Sequence, residues 1–172
     1  MGVTMDILTI LLRILHIFGG VFWVGAAWLI TFFLAPTAAA LGPEGGKFMG
    51  ALSARKMPIY ISIAALVTLL AGFALYYIRI IVPGLSNTTA GMVFGLGGII
   101  GLVAGGVGGG IVGPTTTKMA ALGAEIARGG KPPTPEQASQ LSALQKRLAS
   151  ASLWNAILVT LALLAMSVAR YL

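Results

Sequence analysis

The stretch Ile7–Ala35 reads ILTILLRILHIFGGVFWVGAAWLITFFLA, an apolar run interrupted by one arginine and one histidine. About 20 consecutive apolar residues suffice to carry a helix across a hydrocarbon core. A helix also satisfies its own backbone N–H and C=O groups, which lipid cannot do. The run is therefore predicted to be a transmembrane helix. Three more such runs follow, at about Ile59–Val82, Met92–Val112 and Leu153–Ala169. Ala38-Ala39-Ala40 resembles a signal-peptide cleavage site, but the apolar stretch is too long for one and its start carries Asp6 rather than basic residues, so a retained helix is expected.

Composition agrees with a lipid solvent. Of 172 residues, 58% are hydrophobic and only 9% charged, with a mean hydropathy of +0.97, whereas soluble domains carry about 25% charged residues. The absence of cysteine removes disulfides, thiolate metal sites and thiol catalysis. The net charge of +7 does not point to nucleic acid, because the bases lie mostly between the apolar runs, where positive charge orients a membrane protein.

Proline and glycine are read as marking the ends of the spans, at Ala35-Pro36, Met57-Pro58, Val82-Pro83-Gly84 and Gly113-Pro114. The connection Pro83–Ala90 is short and uncharged. Lys47, Arg55 and Lys56 lie in one long connection, and Lys118, Arg128, Lys131, Lys146 and Arg147 in the other. The positive-inside rule then places residues 35–57 and 113–147 in the cytoplasm and both termini outside, with Arg13, Arg79 and Arg170 counting against it. The expected location is a prokaryotic cell membrane, crossed several times.

Both long connections are predicted to be helical. Thr134-Pro135-Glu136-Gln137 combines an N-cap threonine, proline at the first helical position and glutamine three residues after the cap. A helix from Pro135 to Arg170 would run about 54 Å, well beyond the hydrocarbon core. Spans three and four should thus project as a helical hairpin tipped by Gly129-Gly130-Lys131-Pro132-Pro133. A shorter amphipathic helix is expected around Pro43–Lys56, with Phe48, Met49 and Leu52 turned inward.

The chain also repeats itself. Gly19-Gly20 and Pro36-Thr37 match Gly97-Gly98 and Pro114-Thr115 at one constant offset, and Leu66-Val67-Thr68-Leu69 returns as Leu158-Val159-Thr160-Leu161. The ordered matches favour duplication, although alanine and leucine recur in any apolar sequence. The fold class expected is all-α: a single membrane domain over 1–172, an integral membrane four-helix bundle made of two parallel-repeat helical hairpins (about 6–82 and 84–172) with long cytoplasmic helical extensions.

Few residues are equipped for chemistry. His16 is the only histidine and lies well inside span one, where an ionisable group marks a functional position; its repeat counterpart is Phe94. Arg13 lies one turn away, and Gly20 and Trp23 continue the stripe at helical spacing. Cation, imidazole, small residue and flat ring in that order suit a planar anionic cofactor, with His16 on iron and Arg13 on a propionate. Arg79, near the same end, is a second propionate candidate. A neutral histidine bonded to a neighbouring helix and arginines reaching for headgroups account for the same residues. The glycines of span three allow close helix packing, within the bundle or in an oligomer. Pairs of intramembrane carboxylates, which proton-coupled transport would use, are missing from the spans.

The segment Leu12-Arg13-Ile14-Leu15-His16-Ile17, continued by Gly20, Trp23 and Gly25, resembles the opening helix of copper-resistance protein D domains and HemJ-type protoporphyrinogen oxidases. The match covers about thirty residues of the chain. The resemblance implies a haem ligand at His16 and four to five helices. That group's later-helix lysine has only Lys56, at the membrane edge, as a counterpart. The expectation is a b-type haem-binding or haem-handling subunit with haem b as cofactor. The alternative is a non-catalytic scaffold or accessory subunit in a homo-oligomer or membrane complex joined through the third helix. A small transporter is a third reading.

Overall fold

Five helices make up the computed structural model, which describes residues 2–172 and side-chain surroundings from Ile7 onward, so that Met1 and the Asp6 side chain lie outside the described residues. Helix α1 covers Gly2–Leu29 and continues through a π-helical turn, Ile30–Leu34, into Ala35–Ala40. Helix α2 is Pro43–Ala54, and α3 is Met57–Tyr76 closing on a second π turn, Tyr77–Ile81. Helix α4 runs Thr89–Val107, passes a third π turn, Gly108–Val112, and continues over Gly113–Gly129; α5 is Pro135–Ala169. Four of these helices, all but α2, are long and apolar enough to cross a membrane.

Two of the expected helix ends are not ends. Pro36 and Pro114 lie inside α1 and α4, which pass through them. The cause is local. Proline offers no N–H, and its ring crowds the carbonyl four residues back, so the preceding helix must widen or break. It widens in each case: the residue just before each proline donates five residues back, Ala35 to the Ile30 carbonyl, Val82 to Tyr77 and Gly113 to Gly108. Every π turn in the described residues ends two positions before a proline. The turns in α1 and α4 also keep the sequence offset of the Gly-Gly and Pro-Thr matches.

The remaining prolines begin helices, as Pro43, Pro58 and Pro135 do, or stiffen the tip at Pro132-Pro133. Thr134 and Gln137 form the reciprocal capping box expected of them, and Gly130 reverses the chain with a φ of 59°. Of the residues predicted to face inward on α2, Met49 and Leu52 are half-buried but Phe48 is exposed. Gly45 takes the inner position, so close to the Ala38 carbonyl that a side chain there would collide with backbone.

Packing divides the bundle into hairpins. Helix α1 lies along α3 and α4 along α5, and the pairs meet where α1 touches α5 and α3 touches α4. Trp23, Ala104 and Val159, from three different spans, form the centre, and Leu69 of α3 packs against them. Side chains bridge both seams between hairpins. Trp28 Nε1 donates to Thr160 Oγ1 at 2.8 Å, and the Tyr76 hydroxyl to the Gly91 carbonyl at 3.2 Å.

The outer surface of the spans is almost wholly apolar, with Phe18, Val21, Leu70, Phe73 and Ile99 all exposed. Such a surface is stable against lipid and not against water. Exposed aromatics frame it: Trp28, Tyr60 and Trp154 towards the extensions, Tyr77 and Tyr171 at the opposite end. Tyr60 to Tyr77, and equally Trp154 to Tyr171, spans about 25 Å along the helix. Beyond the tryptophan level the rest of α4 and α5 continues as a hairpin.

Candidate functional site

His16 is half-buried between α1 and α3, and Nδ1 lies 2.8 Å from the Thr68 backbone oxygen. A carbonyl oxygen only accepts, so Nδ1 carries the proton and Nε2 holds the free position of the ring. Helix α3 makes room at Gly72. A Cβ there would stand 2.6 Å from His16 Cε1 and 2.8 Å from Nδ1, so the imidazole lies where a side chain would otherwise be.

Among the described residues Nε2 has no hydrogen-bond partner, yet the one side-chain nitrogen or oxygen there that is both fully enclosed and unpartnered belongs to Asn155. Nε2 therefore reaches the accessible surface of the bundle. Measured along α1, His16 lies about 18 Å beyond Trp28, which puts this nitrogen within the apolar band. A polar atom facing hydrocarbon costs free energy unless something pairs with it.

The other residues of the stripe disperse. Three residues apart on a helix is a turn of about 60° short of a full rotation, enough to separate faces. Arg13 is exposed and lines a shallow outer cleft of about 470 Å³ with Ile10, Ile14, Ile17, Phe18 and Val21. Gly20 faces the Thr68 methyl group, and Trp23, 5% exposed, is built into the core. Arg79 is exposed on the π turn of α3. Of the stripe's side chains, the imidazole is the one with a nitrogen that could hold a metal.

Sequence reasoning missed Thr68 and Gly72. Their four-residue spacing puts them on one face of α3, but nothing in the sequence says that this face meets His16. Thr160, which matches Thr68 in sequence, has a different role, accepting from Trp28 across the hairpin seam. Gly19 lies against Thr68, whereas Gly97 lies against Ala162, Ala165 and Met166. The two hairpins thus pair with different registers.

Elsewhere, Lys47 and Glu44 form an exposed ion pair at 2.6 Å on α2. No group of three His, Cys, Asp or Glu side chains comes together among the described residues. A second cleft, about 600 Å³, opens between the extensions of α4 and α5, with Lys118 and Arg128 above Leu122 and Leu144. No protein family, curated protein or solved structure matches the chain.

Proposed function

We propose that this integral membrane protein is a b-type haem-binding or haem-handling redox-associated subunit, in which Nε2 of His16 would hold the haem iron. One observation carries the reading: a lone, half-buried intramembrane imidazole whose Nδ1–H is committed to the Thr68 carbonyl while Nε2 has no partner among the described residues. That is how histidines are oriented for metal, with the second nitrogen fixed by a backbone acceptor. When bound, haem would supply one-electron chemistry. Gly72 and Thr68 hold the imidazole, and Arg13 on the adjacent outer face offers a cation to a carboxylate. The likeness of the first helix to the copper-resistance and HemJ-type group supports the same assignment. The charge distribution supports both termini outside and the extensions in the cytoplasm.

The test is an absorption spectrum of the full chain, expressed with ample haem and purified in mild detergent. A Soret band lost in His16→Ala is the expected result. Absence of the band in the wild type ends the reading, and a band unchanged in His16→Ala removes His16 as the ligand.

A second reading, a non-catalytic scaffold, is favoured by a different observation. Gly106, Gly109 and Gly110 of α4 point into open space, with nothing within 4 Å of where a Cβ would be. Outward glycines allow another helix to approach closely.

A further inference from the structure

The extensions of α4 and α5 lie along each other. Glu125 Oε1 accepts from Gln137 Nε2 at 3.2 Å across the pair, and the same alignment sets Lys118, Leu122 and Arg128 of α4 beside Gln140 and Leu144 of α5 around the cleft of about 600 Å³. Two helices form a seam, not a core. Met119, Leu122, Ile126, Leu141, Leu144 and Leu148 are each half-buried, and from Thr116 to Ser150 no residue is fully buried. An apolar seam left half open to water is a surface that a further helix can cover.

Neither lipid nor a second copy suits that opening. Measured along α5, Leu144 lies about 15 Å and Gln140 about 21 Å past Trp154, whereas the headgroup layer adds only about 5–8 Å to each side of the hydrocarbon core. The membrane surface therefore falls short of the cleft. A second copy would bring like charge, since residues 113–150 carry five bases against two acids. Lys118 and Arg128, the first and last residues of α4 to line the cleft, are both exposed, and neither forms an ion pair among the described residues. They stand about 15 Å apart along the helix.

We infer that the open face of the α4–α5 extension is a docking surface for an acidic amphipathic helix of a partner protein. Apolar side chains at helical spacing on that helix would close the seam over Leu122 and Leu144. Carboxylates about ten residues apart on it would meet Lys118 and Arg128. The apolar seam supplies the affinity, and the two cations choose an acidic partner over a basic one. The surface is remote from His16 and independent of haem.

The experiment places the full chain in phosphatidylcholine nanodiscs. The probe is a fluorescein-labelled peptide of roughly 18 residues, with leucine at helical spacing and glutamate elsewhere, and its fluorescence anisotropy is read against empty discs. Saturable binding to the wild type is expected, weakening with added salt. It should weaken about tenfold or more in Lys118→Glu with Arg128→Glu, whose exposed side chains leave the fold intact. Leu122→Ala with Leu144→Ala should weaken it too. Binding no stronger than to empty discs overturns the surface, as does equal affinity for a peptide with lysine in place of glutamate, or affinity unchanged by the charge reversal. Two chains per disc in the wild type, reduced to one by Leu122→Glu, would give the face to a second copy. Amide protection over 118–144 that rises in phosphatidylglycerol discs would give it to headgroups, and either result overturns the partner helix.

Discussion

Gly72 governs how His16 is held, although it carries no functional group. A methyl group at 72 would overlap the imidazole at Cε1 and Nδ1, so Gly72→Ala should push the ring off the Thr68 carbonyl. The cost combines overpacking, about 1–3 kcal/mol, with loss of a hydrogen bond worth about 1 kcal/mol. His16→Ala removes the object of the clash. The double variant should therefore melt above Gly72→Ala alone, a non-additivity that marks direct contact. If the melting temperatures instead add, the ring does not lie on Gly72. His16 is conspicuous in the sequence because a lone ionisable residue in an apolar run stands out. Its partners were not, since a backbone carbonyl has no sequence signature and a glycine in a span announces only smallness. Arg13 stands three residues from His16 in the sequence, and the structure places it on the exposed outer face of α1.

Helix starts were the most legible elements. Thr134 Oγ1 accepts from the Gln137 N–H at 3.2 Å while Gln137 Oε1 accepts from the Thr134 N–H at 3.1 Å, as the four letters Thr-Pro-Glu-Gln imply. Replacing an N-cap threonine by alanine costs about 1 kcal/mol. Thr134→Ala should thus speed amide exchange over the first turn of α5, roughly fivefold at that energy. Protection at Val159, in the core, should be unaffected; equal acceleration at both places would mean that the cap supports the whole bundle. Helix stops were less legible, and proline is the reason. The same residue that starts α2, α3 and α5 lies inside α1 and α4, because a helix already extended through lipid can absorb a proline by adding one residue to a turn. In an apolar environment, breaking would expose several backbone groups and widening exposes fewer. The consequence is positional: past each π turn the side chains no longer continue the face they began on.

That loss of register matters most for how copies of the molecule could meet. Gly105 and Gly109 stand one helical turn apart and belong to a single small-residue face when the sequence is read as an uninterrupted helix. The π turn starting at Gly108 separates them. A Cβ at Gly105 would stand 2.8 Å from Leu69 Cδ1 and 4.0 Å from the Trp23 ring, inside the bundle, whereas one at Gly109 meets nothing within 4 Å. Gly105→Leu should accordingly damage the monomer, lowering its melting temperature through an overpacked core. Gly106→Leu with Gly109→Leu should leave the monomer's melting temperature unchanged, since leucine on an outer face is solvated by lipid or detergent. If the outward glycines hold a second copy in the scaffold reading, this pair should reduce the native mass in mild detergent from an oligomer to a monomer. A mass that stays the same, in a wild type that is oligomeric, places the contact elsewhere on the bundle. Because the haem reading is tested at α1 and this one at α4, each can fail without touching the other.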